Sequence, residues 1–113
     1  MNILTNTPTK ESFIMKSAKS QAIILCAGES GQAVVYGYVD QLPEDSRPVT
    51  VYNARMVIYW AAECGGIFGL AANGPQGKTK ITAVVEATQT TVWKQFIVVS
   101  KKAEKLLNEW PEM

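Results

Sequence analysis

Hydrophobic residues fall mostly in short runs separated by turn-forming residues, a pattern typical of β-strands. The first two runs flank the turn Gly28-Glu29-Ser30-Gly31, which predicts a β-hairpin. A polar loop bracketed by Pro43 and Pro48 then precedes a longer third run. The predicted strands cover residues 21–27, 32–41, 49–60, 80–87 and 91–99. Their order suggests an antiparallel meander of five strands.

Two segments have helical spacing instead. Residues 61–72 place apolar side chains where a short helix can form, although interior glycines weaken the case for a long one. Ser100 is a suitable N-cap, and Ala103, Leu106, Leu107 and Trp110 follow it on one helical face. We therefore predict an α+β fold: a twisted antiparallel sheet of about five strands with a short middle helix and a C-terminal helix.

Composition divides the chain in two and limits its partners. Residues 1–19 are polar with little periodicity, so we expect a flexible N-terminal arm, followed by a single domain over residues 20–113. Its small core and many aromatic residues favour a homo-oligomer. Eleven basic and ten acidic residues give a net charge of +1, which provides no strong signal for nucleic acid. No apolar run is long enough to suggest a membrane partner.

The residues that could carry catalytic chemistry argue against an enzyme. The sequence has no histidine, and its acidic residues show no recurring pair that could serve as acid and base. Cys26 and Cys64 are too far apart for a paired metal motif and are expected to be buried thiols of a cytoplasmic protein. We expect no enzyme activity, no catalytic residue, no metal site and no cofactor.

Residues 72–79 match a phosphate-binding loop if its first glycine is relaxed to alanine. Such a loop follows a strand and opens a helix, so that helix amides face the phosphates. Here the preceding segment has helical spacing and the following one reads as a strand. The match is therefore interpreted as an ordinary loop.

Arg55 is the most informative polar residue, because it lies in a strand that ends in the aromatic pair Tyr59-Trp60. An arginine near exposed aromatic rings can bind a phosphate while a ring stacks on a base. An ordinary cross-strand ion pair is the alternative reading of Arg55, and it stays open.

Several short motifs occur in a fixed order along the chain. They are the glycines at 31 and 37, the triplet Asn53-Ala54-Arg55, the pair Tyr59-Trp60, the pair Leu70-Ala71 and the glycine at 74. That layout resembles a family of small phage and prophage proteins, mostly of unassigned function. The chain also resembles the phage Thoeris anti-defence sponges, small oligomeric proteins that sequester cyclic ADP-ribose-type immune signals without cleaving them.

The resemblance implies a ligand held between protomers, with arginine on its phosphates and aromatic rings on its adenine. In that case Arg55 serves the ligand, and Arg55→Ala folds normally. The implied ligand-binding set is Arg55, Asn53, Tyr36, Tyr59, Trp60, Phe68 and Asn73. The implied function is a phage-encoded, non-enzymatic protein that sequesters a cyclic nucleotide immune signal in the host cytoplasm. Inhibition of a host defence protein, or a structural role in the phage, remain alternatives.

Overall fold

The computed structural model describes residues 20–45 and 47–113. The predicted N-terminal arm lies outside these residues. The elements in chain order are β1 (Gln21–Ala27), β2 (Ala33–Val39), β3 (Val49–Tyr59), a 3₁₀ turn (Ala62–Cys64), α1 (Gly66–Asn73), β4 (Lys80–Ile81), β5 (Val85–Thr90), β6 (Trp93–Val98) and α2 (Lys101–Glu109). The α+β class, the twisted antiparallel sheet and both helices are confirmed.

The strand order corrects the predicted meander. β1, β2 and β3 are consecutive neighbours, but β4 and β5 both pair with β3, and β6 pairs with β1 rather than with β5. The single strand predicted over residues 80–87 is also wrong, because residues 82–84 interrupt it. At this break the backbone N–H of Met56 donates to the Thr82 side-chain oxygen at 2.9 Å, so a side chain replaces a backbone acceptor in the ladder.

The sheet curls strongly on itself. Only residues 91 and 92 separate β5 from β6, yet the two strands pair at opposite ends of the order β5-β3-β2-β1-β6. Those ends would be about 19 Å apart in a flat sheet, whereas the chain from Thr90 to Trp93 spans at most about 11 Å. The Trp93 indole Nε1 also donates to the backbone carbonyl of Arg47, just before β3, at 2.8 Å.

The curl separates two hydrophobic cores, one on each face of the sheet. The inner core lies within the curl and contains Ile23, Leu25, Val35, Val39, Val49, Val51 and Ala54, with Trp93 and Phe96 against it. The helix-side core lies beneath both helices and includes Ile24, Val34, Tyr36, Val57, Leu70, Ile81, Ala103 and Leu107. β1 supplies residues to both cores, which explains its almost continuous apolar sequence.

Local signals at the turns and helix ends act as expected. The backbone N–H of Gly31 donates to the Gly28 carbonyl at 3.1 Å in the β1–β2 turn. Ser100 caps α2, because its hydroxyl accepts from the Ala103 N–H at 3.0 Å. Both Cys26 and Cys64 are buried and free, as predicted. Among the described residues, no helix has the length and apolar character needed to cross a membrane.

Candidate functional site

A β-bulge at Asn53 shapes the strand that carries Arg55. The β2–β3 pairing shifts by one residue there, so Gly37 of β2 faces both Asn53 and Ala54. Asn53 has a φ of 50°, in the left-handed region that asparagine tolerates better than most residues. A Cβ at Gly37 would lie 2.8 Å from the Tyr52 carbonyl oxygen, so the close approach of the strands requires glycine.

The bulge decides which face of the sheet receives Arg55. Side chains alternate between faces along a strand, yet Val51 and Ala54 both belong to the inner core. The extra residue has therefore reversed the alternation. Beyond it, Val57 joins the helix-side core, and Arg55, two residues earlier, faces the same way.

Arg55 is buried, with only 4% of its surface exposed, and it binds backbone carbonyls of two other elements. Its Nε donates to the Thr82 carbonyl at 2.8 Å, in the break between β4 and β5. Its Nη1 donates to the Leu107 carbonyl at 2.8 Å, in the last turn of α2. Carbonyls in the last turn of a helix lack intrahelical partners and carry its negative dipole end, so a cation stabilises them. These contacts give Arg55 a structural role in holding α2 on the sheet.

Burial lowers the pKa of the Arg55 guanidinium, while the nearby charge of Glu112 and the side chain of Tyr36 oppose that shift. No carboxylate of the described residues forms an ion pair with it. The cross-strand ion pair considered from sequence is therefore absent among those residues, and the partners are carbonyls instead.

A second polar cluster joins β2 to α2. The Tyr36 hydroxyl donates to Asn108 Oδ1 at 2.8 Å, and the Tyr38 hydroxyl donates to Glu104 Oε2 at 2.6 Å. Asn108 Nδ2 in turn donates to the Tyr38 hydroxyl at 2.9 Å. Burial raises the pKa of Tyr36 and of Tyr38 above the ordinary range, so both hydroxyls stay protonated and keep donating.

Asn53 is the least satisfied polar residue of the bulge. The residue is 7% exposed, and neither its Oδ1 nor its Nδ2 has a hydrogen-bond partner among the residues that the structure describes. A buried amide without partners costs about 1–3 kcal/mol. Asn53 therefore combines an uncommon backbone conformation with an unpaired side chain, and both reduce the stability of the fold.

The remaining residues of the predicted ligand set lie nearer the surface. Tyr59 is half exposed at the end of β3, and Phe68 projects from α1 with 66% of its surface exposed. Trp60 packs against the helix-side core, and Asn73 is exposed at the end of α1. The structure thus brings Tyr36 and Arg55 together as cross-strand partners. Ligand binding by any residue of this set stays a prediction.

A groove of about 640 Å³ follows the short strand β4, and we call it the β4 groove. It is lined by Gly77, Lys78, Thr79, Lys80, Trp110, Pro111, Glu112 and Met113. The indole Nε1 of Trp110 donates to the Thr79 carbonyl at 2.9 Å, which fixes the ring. Lys78 and Lys80 are exposed and form no ion pair among the described residues. Tyr59 stands opposite Lys80 in the β3–β4 register.

Sequence reasoning missed the residues of the β4 groove. The spacing predicts Trp110 on the apolar face of the C-terminal helix, but that helix ends at Glu109 and Trp110 follows it as the C-cap. Lys78 and Lys80 lie in and just after the loop dismissed as a phosphate site. That dismissal agrees with the structure, where α1 precedes the loop and β4 follows it. The signal available was the pair of lysines that flank Thr79, where the loop meets the short strand β4.

Within the described part of the chain, no group of three or more Cys, Asp or Glu side chains is placed to hold a metal ion. The arrangement instead consists of buried polar groups that bind one another and grooves open to solvent. It defines a small α+β protein whose curled antiparallel sheet is tied to its last helix by a buried arginine.

Residues 20–107 match the family described as a domain of unknown function (DUF6948), and the chain belongs to that family. The comparisons with curated proteins and with solved structures gave no match.

Proposed function

We propose that the protein is a non-enzymatic binding protein that sequesters an anionic nucleotide in the β4 groove. The groove carries this proposal because two exposed lysines, Lys78 and Lys80, line it together with the positioned ring of Trp110. A nucleotide needs those two features, since its phosphates attract cations and its base stacks on aromatic rings. The sequence also predicts a nucleotide ligand, but it predicts a binding site at Arg55 rather than in the β4 groove.

The charge of the groove favours an anion although Glu112 also lines it. Glu112 acts on the buried Arg55, since its charge raises the pKa of that guanidinium. The negative charge of Glu112 is thus partly compensated from within the protein. Lys78 and Lys80 have no such partner among the described residues, so they determine the net charge offered to a ligand. The Glu112 carboxylate can accept a hydrogen bond from a sugar hydroxyl or a base amino group.

Trp110 supplies a rigid surface for stacking. Its Nε1–H is already bound to the Thr79 carbonyl, so little side-chain entropy is lost when a base stacks on the ring. Tyr59, half exposed opposite Lys80, gives a second aromatic ring near the same edge.

In biological terms, we propose a phage-encoded anti-defence protein that acts in the host cytoplasm by holding a cyclic nucleotide signal without cleaving it.

Thermal unfolding with a panel of linear and cyclic adenine nucleotides, and with inorganic phosphate, tests the proposal. A nucleotide at 100 times its Kd should add about 2.7 kcal/mol to the free energy of unfolding. The increase should disappear in the double variant Lys78→Ala/Lys80→Ala and remain in Lys102→Ala, a matched control that removes an exposed lysine of α2.

Two results would contradict this site. No stabilisation by any nucleotide would favour the alternative function, binding and inhibition of a host protein. Stabilisation by a nucleotide that persists in the double lysine variant but is lost in Arg55→Lys would indicate that the ligand binds at Arg55 instead. In a cell with a nucleotide-signalled defence, the wild-type protein should protect an infecting phage, and the double variant should not.

A further inference from the structure

A groove of about 430 Å³ lies where the loop between β2 and β3 meets the sheet, and we call it the loop groove. Its apolar lining includes Leu42, Pro43, Pro48 and Val49. The Leu42 side chain is 48% exposed there, although it is large and apolar. The loop groove therefore offers apolar surface that an occupant could cover.

The wall of the loop groove is held in position by its own contacts. The backbone N–H of Arg47 donates to the Glu44 carbonyl at 3.1 Å. The Arg47 carbonyl in turn accepts from the Trp93 indole at 2.8 Å. Pro43 and Pro48 restrict the backbone further, because the proline ring fixes φ. An occupant thus meets a groove that needs little ordering, which reduces the entropy cost of docking.

Acidic side chains dominate the rim of the loop groove. Asp40 and Glu44 line it, and Asp45 follows Glu44 in the chain. These three exposed carboxylates outnumber the guanidinium of Arg47, which also lines the groove. The groove therefore fits an occupant that combines apolar side chains with a surplus of positive charge.

The segment that precedes β1 has both properties. Phe13-Ile14-Met15 is its apolar run, and Lys10, Lys16 and Lys19 flank that run together with a single acidic residue, Glu11. These residues lie outside the part of the chain that the structure describes.

This segment also joins the sheet directly beside the loop groove. Gln21, the first residue of β1, is the cross-strand partner of Val39, which lines the groove. Phe13 precedes Gln21 by eight residues, which can span up to about 29 Å. So short a tether gives an effective concentration on the order of mM, so weak contacts are enough for docking. The tether favours this segment over any free peptide of similar sequence.

We propose that residues 13–19 dock in the loop groove of their own chain. Phe13 and Ile14 pack against Leu42, and Lys16 and Lys19 lie near the acidic rim. The loop groove and the β4 groove have no lining residue in common, so this proposal is independent of nucleotide binding.

Hydrogen exchange of the full chain, followed by mass spectrometry, tests the docking. The amides of residues 14–19 should exchange at least tenfold more slowly in the wild type than in Leu42→Lys, which replaces an apolar contact with a charge that repels the lysines. Phe68→Lys is the matched control, since Phe68 is a still more exposed apolar residue but lies on α1. It should keep the wild-type protection. The melting temperature should show that each variant is folded.

A charge-reversal pair tests the ionic contribution. Glu44→Lys should reduce the protection of the same amides, and the double variant Glu44→Lys/Lys16→Glu should restore it. High salt should lower the protection in the wild type, because it screens exposed charges.

Three results would overturn the proposal. Exchange of residues 14–19 at the rate of an unstructured chain would leave the segment a flexible arm, as the sequence predicts. Protection that persists in folded Leu42→Lys would place the segment elsewhere. Protection that rises with protein concentration from 1 to 100 µM would mean that the groove takes the segment of another copy.

Discussion

Removing the Arg55 side chain tests whether this residue serves the fold or a ligand. The sequence-based resemblance predicts that Arg55→Ala folds normally. The structure leads to the opposite expectation, because the guanidinium is buried and binds two carbonyls that belong to separate elements. In the alanine variant, the Thr82 and Leu107 carbonyls lose their Arg55 donors, and one of the contacts that hold α2 on the sheet is removed.

The size of the effect follows from those two bonds. A hydrogen bond to a charged group contributes about 1.5–3 kcal/mol, so the pair contributes about 3–6 kcal/mol. Part of this is offset, because folding no longer has to remove a guanidinium from water. We expect a net loss of about 3 kcal/mol for Arg55→Ala. That loss lowers the melting temperature by roughly 15 °C in a domain of this size.

Urea unfolding followed by tryptophan fluorescence measures the loss. Arg55→Lys should lie between the wild type and the alanine variant, because an ammonium group keeps the charge but lacks the planar fork that reaches two carbonyls. Arg47→Ala is the control. Arg47 is exposed and pairs with Glu44 at 3.4 Å on the surface, so its loss should change the free energy of unfolding by at most about 0.5 kcal/mol.

The result that would refute this reasoning is an Arg55→Ala variant as stable as Arg47→Ala. In that case the two hydrogen bonds contribute little, and the ligand role implied by the resemblance becomes the better explanation of Arg55.

Three further predictions concern the bulge and the buried tyrosines. Asn53→Gly should raise the free energy of unfolding by about 1 kcal/mol, because glycine accepts the left-handed backbone and removes an unpaired amide; an unchanged or lower urea midpoint would contradict this. Gly37→Ala should lower it by about 1–3 kcal/mol, since the new methyl group would collide with Val51 and the neighbouring backbone, and calorimetry should show a clear fall in melting temperature. The pKa values of Tyr36 and Tyr38 are raised in the folded state, so their stabilisation is complete below about pH 10, the unfolded value, and is lost as pH rises further. Urea midpoints from pH 8 to 11 should therefore fall less steeply for Tyr36→Phe than for the wild type, and equal slopes would argue against this titration.

Local signals made much of the secondary structure predictable. The Gly28–Gly31 turn, the Ser100 cap and the apolar face of α2 each depend on residues close in sequence. The turn and the cap form as expected, and the apolar face forms without Trp110, which follows the helix. The pairing of β6 with β1 depends instead on contacts between distant residues, and no local pattern distinguishes it from pairing with β5. The meander was therefore the simplest interpretation and was incorrect.

The candidate site was predictable only in part for the same reason. The sequence singled out Asn53 and Arg55, and both occupy unusual positions. Their surroundings could not be inferred, because the bulge reverses the side-chain alternation and directs Arg55 toward carbonyls far along the chain. The ring of Trp110 likewise meets Thr79 only after the whole sheet has formed.

The connection from β5 to β6 also has a consequence for the order of folding. Ile23 pairs with Val98, so the first strand of the sheet receives its second neighbour only when the last strand arrives. Contacts between residues so distant in sequence slow folding, because the intervening chain must lose entropy before they form. During synthesis on the ribosome, the β1 edge of the β1–β2 hairpin therefore remains unpaired until β6 has emerged. The sheet is therefore expected to be completed late, once β6 and α2 are available.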